Sequence, residues 1–337
     1  MIPHSVRARM VPMSVTAPLR TSAAPAVLPV TSSADLLARL GANIQSAAVI
    51  APAKLQLILA ALVARGHLLL EDVPGIGKTL VAKALAKSLA GDFKRVQCTP
   101  DLLPNDITGS SLYDLRRQEF VFVPGPLFAH VILVDEINRA TPRTQSSLLE
   151  ALAEGQVTTD GVTRPLGQPF LVIATQNPIE TAGTFPLPEA QLDRFLFSLT
   201  LGYPGEAAEL LILDREEHSD PLEGLRAVLS LADVLQLQAG ALAVAVARPV
   251  KEYIVRLVYA SRGHPEVILG VSPRGGVALQ RAAQAMALLA GRDFATPDDV
   301  KAAAPAAMAH RMLTRQRGLA SAQQVIAELL LEVPVPV

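Results

Sequence analysis

Apolar residues recur along the chain in two rhythms, and the rhythm changes once. Up to about residue 204, short continuous apolar runs alternate with segments whose apolar residues repeat every three or four positions. The runs 67–70, 131–134, 170–175 and 195–201 read as strands buried on both faces, and 95–99 as a short further strand. Between them lie helical patterns over 34–45, with Leu36, Leu37, Leu40 and Ile44 on one face, and over 52–64, opened by Pro52 and ended by Arg65-Gly66. Two more follow, over 80–90, stopped by Gly91, and over 144–154. Residues 112–115 and 120–123 flank the turn-prone Arg116-Arg117-Gln118 and predict a hairpin within 106–123, closed by Pro124-Gly125-Pro126. Residues 156–159 and 162–164 flank Asp160-Gly161, a strong two-residue hairpin signal.

Past Tyr203-Pro204-Gly205 the strand signals stop. Helices are predicted over 206–218, 232–247, 250–262, 274–290 and 297–309, the last started by Thr296-Pro297-Asp298-Asp299. Strands alternating with helices predict an α/β core with a parallel sheet, and the later segment an all-α domain. The expected division is a disordered tail over 1–33, an α/β nucleotide-binding core over 34–204 and a helical lid over 205–337, with Pro334-Val335-Pro336-Val337 as a short end.

Composition narrows the class. A chain of 337 residues that is 50% hydrophobic can build two cores, but with no Trp and 4% aromatics they must be Ala, Leu and Val. Thirty basic against 31 acidic residues leave a net charge of -1, which gives no bulk electrostatic reason to expect nucleic acid. Cys98 is the only cysteine, so an intrachain disulfide is excluded and a reducing cytoplasmic setting is expected. No uncharged apolar run reaches the ~18 residues of a membrane span. The first 30 residues are rich in Pro, Ala and Ser and lack the apolar centre of a secretory signal; Met10 and Met13 are alternative starts, and a transit peptide is the minor alternative.

The candidate chemistry begins at Asp72-Val73-Pro74-Gly75-Ile76-Gly77-Lys78-Thr79, between a strand and a helix. This arrangement is the phosphate-cradling loop of nucleoside triphosphatases. Gly75 and Gly77 let backbone amides curl round a polyanion, and the following helix start adds unpaired donors. Asp72, Pro74, Gly75, Ile76, Gly77, Lys78, Thr79 and Leu80 are the candidate nucleotide-binding residues, with Lys78 reaching the β- and γ-phosphates. Asp72 stands where the pattern opens on Gly. Asp135 and Glu136 end a buried run, where open α/β sheets bind ligands. Thr79 and Asp135 are the candidate Mg²⁺ ligands, and Glu136 the group that orients and deprotonates the attacking water. A solvated strand end is the other reading of that pair. Asn177 ends the next strand, where it either caps a turn or bonds the water or γ-phosphate. Arg194 either pairs with an acid such as Asp193 or reaches a neighbouring subunit's γ-phosphate as an arginine finger. Arg274, in Ser272-Pro273-Arg274, is either a surface residue or a lid arginine that senses phosphate.

Residues 71–79, Val134-Asp135-Glu136-Ile137-Asn138-Arg139-Ala140, the 174–180 stretch around Asn177, Leu187-Pro188-Glu189-Ala190-Gln191-Leu192-Asp193-Arg194-Phe195 and Ser272-Pro273-Arg274, taken in order, resemble the MoxR family of AAA+ ATPases. The resemblance covers about residue 34 to the end. It implies a P-loop AAA+ core with a five-stranded parallel sheet, an all-α lid, and ATP with Mg²⁺ bound between subunits of a ring, usually a hexamer. It assigns Asp135 and Glu136 to the Walker B pair, Asn177 to sensor 1, Arg194 to the finger and Arg274 to sensor 2, and it puts Gln97 where related enzymes restrain the catalytic Glu. It further implies chaperone-like maturation or metal-cofactor insertion, with a von Willebrand factor A-type partner. Val49-Ile50-Ala51-Pro52 departs from the Gly-Gln that the family often carries near the adenine. The alternatives are a DNA motor, which low charge and few aromatics disfavour, and a nucleotide-gated scaffold, which the full set of Glu136, Asn177 and Arg194 disfavours.

Overall fold

The computed structural model describes residues 28–73, 75–177, 183–216, 220–316 and 318–336. Most of the expected tail, Pro74, residues 178–180 of the motif around Asn177, and the end of the helix over 206–218 lie outside them.

Helices α1 (Val30–Ala47) and α2 (Pro52–Val63) lead into strand β1 (Leu68–Glu71), and α3 (Lys78–Ser88) leads into β2 (Phe93–Gln97). A short helix, α4 (Pro104–Thr108), opens the hairpin β3 (Gly109–Asp114) and β4 (Glu119–Pro124). Next come β5 (Val131–Asp135), α5 (Pro142–Glu154), the hairpin β6 (Gln156–Thr159) and β7 (Val162–Pro165), β8 (Leu171–Gln176), α6 (Glu189–Leu192) and β9 (Phe197–Leu199). The remainder is α7 (Glu206–Glu216), α8 (Leu231–Ala243), α9 (Arg248–Gly263), β10 (Val267–Leu269), α10 (Pro273–Leu289), α11 (Pro297–Met308), β11 (Leu313–Thr314) and α12 (Leu319–Glu332).

Five strands form one sheet in the order β2-β5-β8-β1-β9. Every pairing in it is parallel. All five carboxyl ends therefore share one edge, and β1 meets its glycine turn where later strands lie on both sides of it, the place where open α/β sheets bind ligands. The continuous apolar runs still obey the period of two. Leu68, Leu70, Val131, Leu133, Leu171 and Ile173 face one core, while Leu69, Ile132, Val134, Val172 and Ala174 face the other. The first core runs without a break through α1 and α2 into the lid, where Leu237, Leu279, Val300 and Ile326 join it. The smaller second core holds α5 and the base of the first hairpin, with Leu148, Leu149, Leu152 and Ile107. Asp160 and Gly161 both have positive φ, 55° and 72°, as a two-residue turn that matches strand twist requires.

Three differences from expectation have physical causes. Helix α1 starts at Val30, inside the stretch read as tail, because packing overrides the poor helix propensity of Val-Thr-Ser-Ser: Ser33 is wholly buried and its hydroxyl donates to the Pro29 carbonyl at 3.2 Å. To the lid helices the structure adds an antiparallel ribbon of β10 and β11, too short to show a period. Helix α12, absent from the sequence reading, buries Ala322, Val325, Ile326 and Leu329 at helical spacing behind Gly318.

His67 stitches the layers together just before β1. Its Nε2 donates to the Leu152 carbonyl at 3.1 Å and its Nδ1 accepts from the Val172 amide at 3.1 Å. Burial holds its pKa at about 4 against an ordinary 6.5. Between those values the unfolded chain takes up a proton that the folded chain refuses, so stability falls as pH drops from about 6.5 to about 4. The loss from this ring is on the order of 3 kcal/mol. His310, depressed by burial and by the Arg311 charge, acts in the same direction. Urea midpoints measured across this window should fall less steeply for His67→Gln than for the parent; equal slopes would place the acid sensitivity elsewhere.

Candidate active site at the carboxyl edge of the sheet

The turn after β1 is built for close backbone approach. Gly75 and Gly77 have φ of 87° and 85°, and the space a Cβ would occupy at each is open. Gly77 caps α3, whose first residues are Lys78 and Thr79. The α3 N-terminus thus presents unpaired amides and the positive end of its dipole to the same opening. Lys78 Nζ donates to the Asp72 carbonyl at 3.0 Å. Burial lowers the Lys78 pKa, and the charges of Asp72, Asp135 and Glu136 oppose that shift, so the ammonium lies within electrostatic reach of the acidic pair.

Asp72, the residue in place of the usual first glycine, turns away from the opening. Its carboxylate accepts from the amides of Leu201 at 2.6 Å and Gly202 at 3.1 Å. It therefore ties the loop to the segment that leaves β9 for the lid, and it is buried there.

Asp135 and Glu136 come off the end of β5. One Asp135 oxygen accepts from Thr175 Oγ1 at 3.2 Å and the other from Arg95 Nε at 2.6 Å. The Thr175 hydroxyl in turn accepts from the Glu136 amide at 2.9 Å, so one side chain of β8 sets both acids. Glu136 has φ 56° and ψ 50°, a left-handed backbone that costs a non-glycine residue about 1–2 kcal/mol. Its Oε2 accepts from Gln97 Nε2 at 2.9 Å and lies 3.2 Å from Arg139 Nε. Gln97 thus touches the glutamate the resemblance pairs it with. Cys98, beside them, has its thiol pushed up to about 12 by burial and by the charges of Asp135 and Glu136.

Asn177 directly follows β8, the strand between β1 and β5, and so sits between the loop and the acids. Arg194 does not pair with Asp193: its Nη1 donates to the Leu149 carbonyl at 2.7 Å. Asp193 is instead held by the lid, accepting from Arg311 Nε at 2.7 Å and from Ser272 Oγ at 3.2 Å. Ser272 caps α10, and the exposed Arg274 stands in its first turn, close enough for its charge to act on Arg311. The structure therefore gathers Lys78, Asp135, Glu136 and Asn177 at one place, and Arg194 and Arg274 around Asp193.

These residues fit a nucleotide with a hard cation. Thr79, Asp135 and Glu136 offer oxygen donors, and the described residues hold no cluster of three or more His, Cys, Asp or Glu that would cage a metal. Such a donor set suits a cation that shares its shell with phosphates and water. Sequence reasoning missed Arg95, Thr175 and Arg311. The first was readable: Arg95 and Gln97 are two apart on β2, so they share the face that meets Asp135.

Comparison with known proteins agrees with this architecture. Residues 67–197 match the family described as "ATPase family associated with various cellular activities (AAA)", and residues 259–329 match the AAA lid domain. A crystal structure from Cytophaga hutchinsonii superposes with a TM-score of 0.85 at 34% identity, covering 92% of this chain and 97% of that one. Sheet order, glycine turn, acidic strand end and helical lid define an ATP-hydrolysing enzyme of the AAA+ class. YeaC of Bacillus subtilis is 52% identical over 83% of this chain and 89% of its own length. Chaperone MoxR1 of Mycobacterium tuberculosis is 42% identical over 83% of this chain and 77% of its own. The chain belongs to the MoxR family of AAA+ ATPases.

Replacing Asp72 with Ala would strand two amides, each bonded to a charged acceptor. Asp72→Ala should lose about 2 kcal/mol or more of folding stability in urea titration. A variant as stable as the parent would show that Leu201 and Gly202 find other partners.

Proposed function

We propose that the chain hydrolyses Mg²⁺–ATP in a ring of identical subunits and uses the cycle to remodel a partner protein. The observation that carries the reading is the strand order, which brings the glycine turn and Lys78 after β1 and the Asp135–Glu136 pair at the end of β5 to the same edge, on either side of β8. Amides of the Gly75–Gly77 turn and the α3 N-terminus cradle the phosphates, and Lys78 reaches the β- and γ-phosphates. Thr79 and Asp135 would hold Mg²⁺, which would supply neutralisation of the charge on the phosphates. Asn177 and Glu136 place a water in line with the γ-phosphorus. The water oxygen bonds to that phosphorus, the bond to the bridging oxygen breaks, Glu136 takes the proton, and ADP and phosphate leave. Gln97 and Arg139 restrain the Glu136 carboxylate until it is needed.

Arg194 completes the pocket of the adjoining subunit, where an arginine finger is worth ~10³–10⁵ in rate, and Arg274 senses the bound phosphate from the lid. The chaperone name of one relative supports the remodelling role. A hexamer, a von Willebrand factor A-type partner and metal-cofactor insertion are the family's usual pattern and complete the proposal. A cytoplasmic setting suits the single, buried Cys98. No helix among the described residues is long and apolar enough to cross a membrane.

Glu136→Gln should keep ATP affinity and lose nearly all phosphate release; unchanged turnover would remove Glu136 from the mechanism. Arg194→Ala should bind nucleotide and be inactive as a ring, yet recover activity when mixed with Lys78→Ala. Mixed rings of proven composition that stay inactive would contradict an intersubunit finger. Stimulation of the ATPase by DNA, declining with salt, would favour the motor alternative.

A further inference from the structure

Arg311 belongs to none of the motifs, yet it is more heavily engaged than the arginines that do. It follows α11 in a 3₁₀ turn, Ala309–Arg311, and its side chain is only 3% exposed. Besides the 2.7 Å bond from Nε to the Asp193 carboxylate, its Nη2 donates to the carbonyls of Asp193 at 3.2 Å and Phe195 at 2.6 Å. Its Nη1 donates to the Leu196 carbonyl at 3.1 Å and to the Ala307 carbonyl. The neighbouring His310 donates Nε2 to the Phe195 carbonyl at 3.0 Å. From the start of α10, Ser272 takes the other Asp193 oxygen. The lid therefore grips the chain on both sides of Arg194. Arg194 itself rests on one carbonyl, and its buried Nε has no partner.

Stability alone is a poor reason for such a contact. Apolar packing would join the two domains without taking a guanidinium out of water. What a buried, planar, multiply bonded guanidinium adds is direction: it fixes the backbone of residues 193–196 to the lid in one orientation.

We propose that Arg311 and Asp193 are positioning residues for Arg194, through which each subunit's own lid sets the finger it lends to its neighbour. The inference rests on the finger reading of Arg194. The Asp193 carboxylate is shared between the α10 cap and Arg311, and Arg274 lies two residues beyond that cap. A shift of α10 in response to nucleotide therefore moves Asp193 and, with it, Arg194. Occupancy in one subunit is transmitted to the hydrolysis rate of the next.

The test uses full-length rings of wild-type chain doped with an excess of chain whose own site is silenced by Glu136→Gln. Three dopants are compared: Glu136→Gln alone, with Asp193→Asn, and with Arg194→Ala. Ring composition is checked by native mass measurement, and each dopant's own ATP affinity by fluorescent nucleotide. The Asp193→Asn dopant should lower kcat per wild-type subunit on the order of tenfold to a hundredfold relative to Glu136→Gln alone. KM of the wild-type subunits and the dopant's own ATP affinity should not change. The Arg194→Ala dopant should do at least as much.

If Arg194→Ala suppresses and Asp193→Asn does not, the lid clamp is refuted and the finger stands. If neither suppresses, the finger reading fails. Loss of the dopant's own nucleotide binding would mark a structural role and overturn the proposal. Should Asp193→Asn not assemble, Arg311→Lys and the milder Ser272→Ala take its place, and unchanged kcat in both would be equally decisive against it.

Discussion

Lys78, bonded to the Asp72 carbonyl and within electrostatic reach of two carboxylates, is the constraint on which the carboxyl edge of the sheet depends. Lys78 is partly withdrawn from water, which lowers its pKa, and the charges of Asp72, Asp135 and Glu136 offset only part of that shift. That proximity follows from β1 and β5 ending on the same edge with one strand between them, as the parallel order β2-β5-β8-β1-β9 arranges. The intervening strand is not a spacer. Its Thr175 hydroxyl bonds both acids, and Asn177 follows it into the opening. The glycine turn, the acid pair and the strand between them are thus one unit, and moving any strand by a residue would turn its side chains to the other face.

The second constraint joins this unit to the lid. Three ties differ in kind. The larger apolar core is continuous through α1 and α2 into α8, α10, α11 and α12, and it supplies cohesion without direction. Asp72 binds the departing backbone at Leu201 and Gly202, so the loop that cradles phosphate also anchors the linker. Arg311 binds the backbone and carboxylate on both sides of Arg194 from the lid. The turn after β1 is therefore tied through Asp72 to the segment that leads to the lid, and the backbone around Arg194 is tied through Asp193 to the lid itself.

Much of this was legible in the sequence because its signals are local. Apolar runs marked four of the five strands of the sheet within a few residues, Asp160-Gly161 marked its turn, and Gly-Lys-Thr marked the glycine turn that opens α3. The ordered motifs identified the family and brought Gln97 to Glu136. What was not legible arises from contacts distant in sequence. Asp72 looked like a defect in the loop pattern until its partners, about 130 residues away, were placed beside it. Arg194 looked like a partner for the adjacent Asp193, but a buried guanidinium 118 residues further on takes that carboxylate. The start of α1 and the whole of α12 were missed because burial against other helices, rather than intrinsic propensity, decides them.

The proposed hydrolysis needs the terminal phosphates of ATP to lie between the Gly75–Thr79 turn and the Asp135–Glu136 pair. A structure of the Glu136→Gln chain crystallised or frozen with Mg²⁺–ATP tests it most directly. The β- and γ-phosphates should lie against the turn amides and Lys78, with the metal on the side of Thr79 and Asp135. Nucleotide bound elsewhere, or a metal remote from Asp135, would contradict it.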